Sequence, residues 1–449
     1  MNILYSPLPV CRPRVMRAAM AVVLSIGAGQ TLTGATNAAG PVKVEIRKEN
    51  GRFRLYRGGQ PYFIKGAVFW AEPDGKFPIA DIAARGGNSV RTHDPGTIHA
   101  AHKLGMTALV NLRMKMEYAH KFDYSDAKAV REQFDSIRQR VLELKDHPAV
   151  LMWAIGNELS VRYTNKNVWK AVNDVARFIH EVDPNHPAMT VIGAGFLTRG
   201  GYEIKDILER CPDLDLIGIN AYGNLEEVPA KLRQEGWQKP YVVTEWGPTG
   251  HWQMPKTEWN AEIEETSTEK AGRYLERYRN VMLKDTGRCF GSYAFIWRSR
   301  LECTHTWYGM FLETGERTEA VNAMQYLWTG QWPANRAPRV EPLTIDGRGA
   351  RDNIYLKPGS EHTAAVQVAD PDGDPVALRW EIVAEVAKGG YAGMGEKRST
   401  PMPELIRTTG GGRMVFAAPP QQGPYRVFVF AADGHGNGAT ANIPFFVKP

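Results

Sequence analysis

Val150-Leu151-Met152-Trp153-Ala154-Ile155-Gly156-Asn157-Glu158 is an unbroken apolar run closed by a glycine, an amide and a carboxylate. Six apolar residues without polar alternation read as a strand buried on both faces, as in parallel sheets covered by helices. Tyr241-Val242-Val243-Thr244-Glu245-Trp246-Gly247 repeats the pattern, again with a glutamate where the apolar run stops. A carboxylate at that position stands where a core ends and a site begins.

Outward from these two segments, strand and helix alternate from Pro61 to about Gly330. Strands are expected at 62–70, 88–92, 107–112, 150–155, 188–192, 214–220, 241–244 and 291–297, with amphipathic helical stretches such as 128–145, 168–182 and 268–284 between them. Alternating β and α with apolar strands implies a parallel sheet under helices. Eight such units in about 270 residues fit a (β/α)8 TIM barrel. The rival is an open doubly wound sheet, which wants a Gly-rich phosphate turn after its first strand. Gly66-Ala67-Val68-Phe69-Trp70 is no such turn.

The flanks read differently. Arg12, Arg14 and Arg17 precede an apolar, small-residue stretch from Ala18 to Leu32, so 1–39 reads as an export signal cut around Ala38 or Ala39. An uncleaved anchor or a late true start are the alternatives; the apolar stretch is short of the ~20 residues of a bilayer span. The expected location is therefore periplasmic or extracellular, with no stable membrane insertion after cleavage. Residues 40–330 form the barrel with an N-terminal β-hairpin, 42–46 and 52–56, about the turn signal Asn50-Gly51. That hairpin suits a lid on one end of the barrel. Residues 331–338 are a Pro-punctuated linker. From 339 to 449, short alternating segments at 363–368, 378–382, 425–430 and 443–447 predict a small all-β, immunoglobulin-like sandwich.

Composition sets limits. Residues 1–39 hold three Arg and no Lys, Asp or Glu, so removing them takes the formal charge from +6 to +3. A chain that near neutral makes no case for nucleic acid as a partner. Cys211, Cys289 and Cys303 remain after cleavage, an odd number without zinc-motif spacing, and read as free, mostly buried thiols. The 12 Trp exceed what packing alone suggests, and Trp is a common stacking surface for sugars.

Barrel active sites form at the C-terminal ends of the strands. Strands four and seven place Glu158 and Glu245 on different walls of one mouth. Either alone could serve to cap the next helix. Together they are the equipment for cleaving a glycosidic bond: one carboxyl gives a proton to the leaving oxygen, the other attacks or steadies the sugar cation. Asn157 can reach a sugar 2-hydroxyl. Arg91, ending strand two, brings a fixed cation that holds a neighbouring carboxylate ionised, unless it is a salt bridge internal to the barrel. Tyr222 can donate to the same carboxylate, and Trp297 can floor a sugar ring. Trp70, Trp246 and Trp252 are further stacking candidates, each equally at home in packing, and His93 and His251 lie on mouth loops. The histidines lack metal-ligand spacing, and no metal or cofactor is expected. Asp370-Pro371-Asp372-Gly373-Asp374 reads as a tight solvated turn rather than a calcium loop.

His147-Pro148-Ala149 through Glu158 closely resembles the acid/base segment of family-2 glycoside hydrolases, the β-galactosidase and β-glucuronidase group. Thr244-Glu245-Trp246-Gly247 resembles the nucleophile segment of the same retaining barrel clan, and Asn88 to Pro95 its strand-two segment. By position the resemblance implies Glu158 as acid/base, Glu245 as nucleophile, Asn157 as the 2-hydroxyl contact and Arg91 as the nucleophile's support. Tyr222 and Trp297 fit the clan's strand-six tyrosine and strand-eight tryptophan more loosely. The resemblance departs in front of the barrel, where family-2 enzymes carry sandwich domains and this chain shows a hairpin. That departure implies an opener mouth, nearer in build to endo-acting or transglycosylating members of the clan.

The expected activity is a retaining glycosidase acting on a β-linked glucan or related oligo- or polysaccharide. A transglycosylase remodelling envelope glucans is the alternative within the same chemistry, with acceptor subsites from Trp246, Trp252 and Trp307. A non-catalytic carbohydrate-binding protein on a glycosidase barrel is the alternative outside it.

Overall fold

The structure, a computed structural model, describes residues 40–197 and 202–449. The expected export signal lies outside them. Eight parallel strands close into a barrel: Ile64–Val68, Ser89–Thr92, Thr107–Leu112, Val150–Ile155, Ala188–Gly193, Leu216–Asn220, Tyr241–Trp246 and Cys289–Ala294, barrel strands 1 to 8 below. Each sits within a few residues of its expected position, because a run buried on both faces has few places to begin or end. Strand side chains divide between two cores. Leu109, Leu151, Met189, Val191, Leu216 and Val242 fill the barrel interior. Val110, Trp153, Ile155, Ile217, Ile219 and Val243 pack under the helices. Closure between strands 8 and 1 needs Gly291, at φ +112°, where an added Cβ would meet the Ile64 carbonyl at 2.1 Å.

Two of the longer helices begin where polar side chains satisfy their first amides. Asp126 accepts from the amides of Lys128 and Ala129 at the head of Ala127–Leu144. Thr266 and Glu269 cap Ser267–Arg277 reciprocally. Such caps are worth about 1 kcal/mol each.

The N-terminal hairpin pairs Val44–Glu49 with Arg52–Arg57 around Asn50 and Gly51, both at positive φ. It docks on the end of the barrel where strands start. The Val44 amide donates to Asn185 O at 2.8 Å, the Phe53 amide to Gly287 O at 2.7 Å, and Arg57 to Pro148 O at 2.9 Å. It therefore covers the end opposite the expected site.

The C-terminal region folds as two four-stranded sheets, one built mainly on Glu361–Ala365 and Arg413–Ala417, the other on Ala377–Ala384, Gly423–Ala432 and Gly438–Val447. Its core gathers Ile382, Phe416, Val427, Val429, Ile443 and Phe445. It packs on the barrel through buried polar groups. Arg426, fully buried, donates to Glu262 O at 2.8 Å and pairs with Glu385 at 2.9 Å. Asn442 donates to Glu264 at 2.7 Å, and Glu264 also takes Lys270, Thr304 and Thr306. A contact built of so many satisfied buried charges has one geometry, since breaking any pair strands a charge. Residues 385–402 leave the second sheet after Ala384 as a strap that reaches back to the barrel mouth.

Candidate active site

Glu158 stands beyond its strand. Strand 4 ends at Ile155, and Gly156 and Glu158 both take positive φ, so the chain turns sharply at the rim; the Glu158 amide donates to Val191 O of strand 5 at 2.8 Å. Glu245 lies within strand 7, at a register break against strand 6 between Val243 and Glu245. Such a break re-aims a side chain.

Arg91 organises the floor. It is fully buried and spends its donors on five neighbours: Asn111 at 3.1 Å, Asn157 at 2.6 Å, Asn220 Oδ1 at 3.4 Å, Thr244 O at 3.0 Å and Glu245 Oε1 at 2.8 Å. Tyr222 donates its hydroxyl to Glu245 Oε2 at 3.1 Å. Asn220, ending strand 6, bridges the two walls. Its Nδ2 donates to Glu158 Oε1 at 3.0 Å and to Asn157 at 3.1 Å, while its Oδ1 accepts from Thr244 Oγ1 at 2.8 Å. The Oδ1 of Asn157 is thus occupied by Arg91 and Asn220, which leaves its Nδ2 as the end able to donate to a ligand. The second oxygen of Glu158 accepts from the hydroxyl of Tyr391, on the C-terminal strap.

The carboxyls therefore differ in their surroundings. Glu245 faces a guanidinium and a phenol; both partners of Glu158, Asn220 and Tyr391, are neutral. Burial pushes the Glu245 carboxyl up to about 7, the Arg91 cation pulls it back, and the charge of Glu158 adds to the rise. The sequence reading credited Arg91 with holding this group ionised; the cation is in place, but desolvation outweighs it. The Arg91 and Tyr222 donors favour the anion on Glu245. Burial drives Tyr222 and Tyr391 well above the ordinary phenol range, with the neighbouring glutamate charge adding to it, so both remain donors.

The aromatic candidates separate sharply. Trp297 is no sugar floor: it is fully buried, stacked on Trp328 at 5.6 Å and edge-on to Phe311 at 5.7 Å. Trp246 is likewise core, wedged against Tyr274 and Tyr278, and Trp307 is buried with its indole donating to Thr249 O. Trp252, by contrast, is 57% exposed and meets Tyr222 edge-on at 5.7 Å. Trp70 is half-buried beneath the Arg300 guanidinium, 5.3 Å from its ring centre. His93 follows strand 2 and pairs with Arg113; His251 pairs with the Tyr308 hydroxyl at 2.9 Å. Away from the mouth, Asp370 accepts from the amides of Asp372 and Asp374, as a turn should, and the carboxylates of Asp370, Asp374 and Asp433 come within 4.8 Å of one another.

Sequence reasoning left out Asn111, Asn220 and Tyr391. Asn220 carried a usable signal, a polar residue ending an apolar strand as Glu158 and Glu245 do. Tyr391 carried none.

Residues 99–297 match the family model for the TIM barrel domain of glycosyl hydrolases family 2. The chain carries a family-2-like glycoside hydrolase barrel. The β-glucuronidase of Streptococcus agalactiae serotype V is 26% identical over 263 residues, 48% of this chain and 42% of that protein. The chain thus spans less than half the length of that relative. Among solved structures, Bacteroides uniformis β-glucuronidase 2 aligns at 14% identity and a TM-score of 0.49, covering 90% of this chain and 48% of that one. A Thermobacillus composti GH10 xylanase aligns at 15% identity and a TM-score of 0.45, covering 59% and 96%.

Proposed function

We propose that this chain is an exported retaining β-glycosidase with Glu245 as nucleophile and Glu158 as acid/base. The observation that carries the reading is the unequal pair: two carboxyls at one barrel mouth, joined through Asn220 and Arg91, one beside a cation and the other beside neutral donors. In the first step Glu245 forms a bond to the anomeric carbon as the glycosidic C–O bond breaks, and the Glu158 proton passes to the leaving oxygen. In the second, Glu158 takes a proton from water, which attacks the anomeric carbon and frees Glu245. Asn157 Nδ2 is placed to donate to the 2-hydroxyl, a contact that strengthens in the transition state.

A non-catalytic binder has no use for a proton donor facing a nucleophile. Transfer to a sugar acceptor loses support, because Trp246 and Trp307, two of its three expected platforms, lie in the core. The matched relative is a β-glucuronidase, so β-glucuronides belong first in a panel with β-galactosides, β-glucosides and β-glucans. The wild type should release the sugar with retained configuration, read by NMR within the first turnovers, and Glu245→Gln should abolish release. Full activity in Glu245→Gln, or an inverted product, would refute the assignment.

A further inference from the structure

The barrel mouth is not open as the front of the chain had suggested. The strap formed by residues 385–402 crosses it, held by four fastenings of different kinds. Lys388 pairs with Glu262 at 2.8 Å and donates to Asn260 O at 3.0 Å. Arg300, on the segment after strand 8, donates to Ala392 O at 2.7 Å. Glu396 accepts from the Cys303 amide at 2.8 Å. Arg398 bridges Glu313 at 2.6 Å on the barrel side and Glu381 at 2.8 Å in its own sheet. Gly393 sits at φ +73° against the backbone, with Glu302 Cα and Leu301 O each 3.2 Å from where a Cβ would stand. These contacts deliver one side chain into the mouth: Tyr391, whose ring packs against the barrel core and whose hydroxyl donates to Glu158 Oε2.

We propose that the strap is part of the active site, with Tyr391 acting as the positioning residue of Glu158 and the C-terminal sandwich serving to hold it there. The proposal rests on the glycosidase reading and extends it to a second domain. Asn220 holds one oxygen of Glu158 and Tyr391 the other, so the carboxyl plane is pinned from both walls. A protonated carboxyl oxygen that gives its proton to the substrate keeps a lone pair for the phenol hydroxyl, so the two contacts coexist. As the proton leaves for the glycosidic oxygen, negative charge grows on Glu158, and a hydrogen bond to an ion is about twice as strong as one between neutral groups. The Tyr391 contact is therefore worth more in the transition state than in the ground state, which is the condition for it to raise the rate. In the second step the same donor orients Glu158 toward water.

The test uses two aryl glycosides of the sugar selected by the panel above. A phenyl glycoside has a poor leaving group and needs the proton; a 2,4-dinitrophenyl glycoside leaves without it. Tyr391→Phe should lower kcat/KM for the phenyl glycoside by about tenfold or more, while the dinitrophenyl glycoside changes by no more than about twofold. Gly393→Val, which lifts the strap without touching Glu158, should reproduce the same selective loss. An equal loss on both glycosides would make Tyr391 a packing residue and overturn the proposal, as would no loss on either. Those outcomes leave the glycosidase reading standing; a wild-type protein inactive on every glycoside would overturn that reading and this role with it.

Discussion

Replacing Arg91 by Met removes the cation paired with Glu245 on the site floor while keeping an apolar side chain of similar length in the barrel. At 2.8 Å from Glu245, the gross attraction is about 6 kcal/mol at an effective dielectric of 20. Desolvation of both groups offsets much of it, and breaking such a buried pair from one side costs about 3–5 kcal/mol. Arg91→Met also takes a donor from Asn111 and from the Thr244 carbonyl, while Asn157 keeps its bond from Asn220, which places the expected loss in the upper part of that range. Glu245→Gln alone leaves the guanidinium without its counter-charge. The double variant leaves no charge unpaired, so its cost should fall short of the summed single costs by about 2 kcal/mol. Denaturant unfolding of the four proteins measures this, as shifts in midpoint at constant slope. The same substitution predicts a kinetic change. In the proposed mechanism Glu245 must be ionised to attack, and its carboxyl stands at about 7, so the acid limb of kcat/KM should fall there in the wild type. Removing a cation disfavours the anion, so Arg91→Met should move that limb up by roughly 1–3 pH units. Stabilities that add to within about 0.5 kcal/mol, or an acid limb that stays in place, would refute the argument.

Three further outcomes follow from the surroundings of single residues. Trp297→Ala should cost about 3–5 kcal/mol in stability through the cavity it leaves beside Trp328, whereas Trp252→Ala should leave stability within about 0.5 kcal/mol and raise KM; denaturation and kinetics on the two variants check this. His305 lies between Phe428 and Arg398, and burial first, then Arg398, lowers it from 6.5 to about 4. The unfolded chain therefore takes a proton below about pH 6.5 that the folded chain refuses until about pH 4, so stability held at neutral pH should fall by up to about 3 kcal/mol across that window, and His305→Gln should flatten the fall. Burial pushes the Cys211 and Cys289 thiols up to about 12, so iodoacetamide at pH 8 should leave both unmodified in the folded protein and alkylate both in urea, read by mass spectrometry.

The barrel and its two carboxylates were legible because both depend on local pattern. A strand buried on two faces writes itself as an apolar run, and the residue that breaks the run marks the rim. Strands 3 and 4 begin and end where the periodicity placed them, and counting strands put Glu158 and Glu245 at one mouth. Arg91 and Tyr222 followed, since each ends or follows a strand of the same barrel. Side-chain environment was not legible in the same way. An indole after a strand suits a sugar or a core equally well, and packing against Trp328 and Phe311, from segments distant in the chain, settled Trp297 as core. The ionisation of Glu245 turned on burial, which is a property of everything around it. Tyr391 lies 233 residues from the glutamate it touches, in a glycine-rich stretch with no periodicity. Its place depends on Lys388, Ala392, Glu396 and Arg398 each finding a partner on the barrel side. Strand identity and the meeting of the two carboxyls at one mouth could be read along the chain because neighbouring residues encode them; the cap over the mouth arises from two domains folding against each other, and no local stretch contains that information.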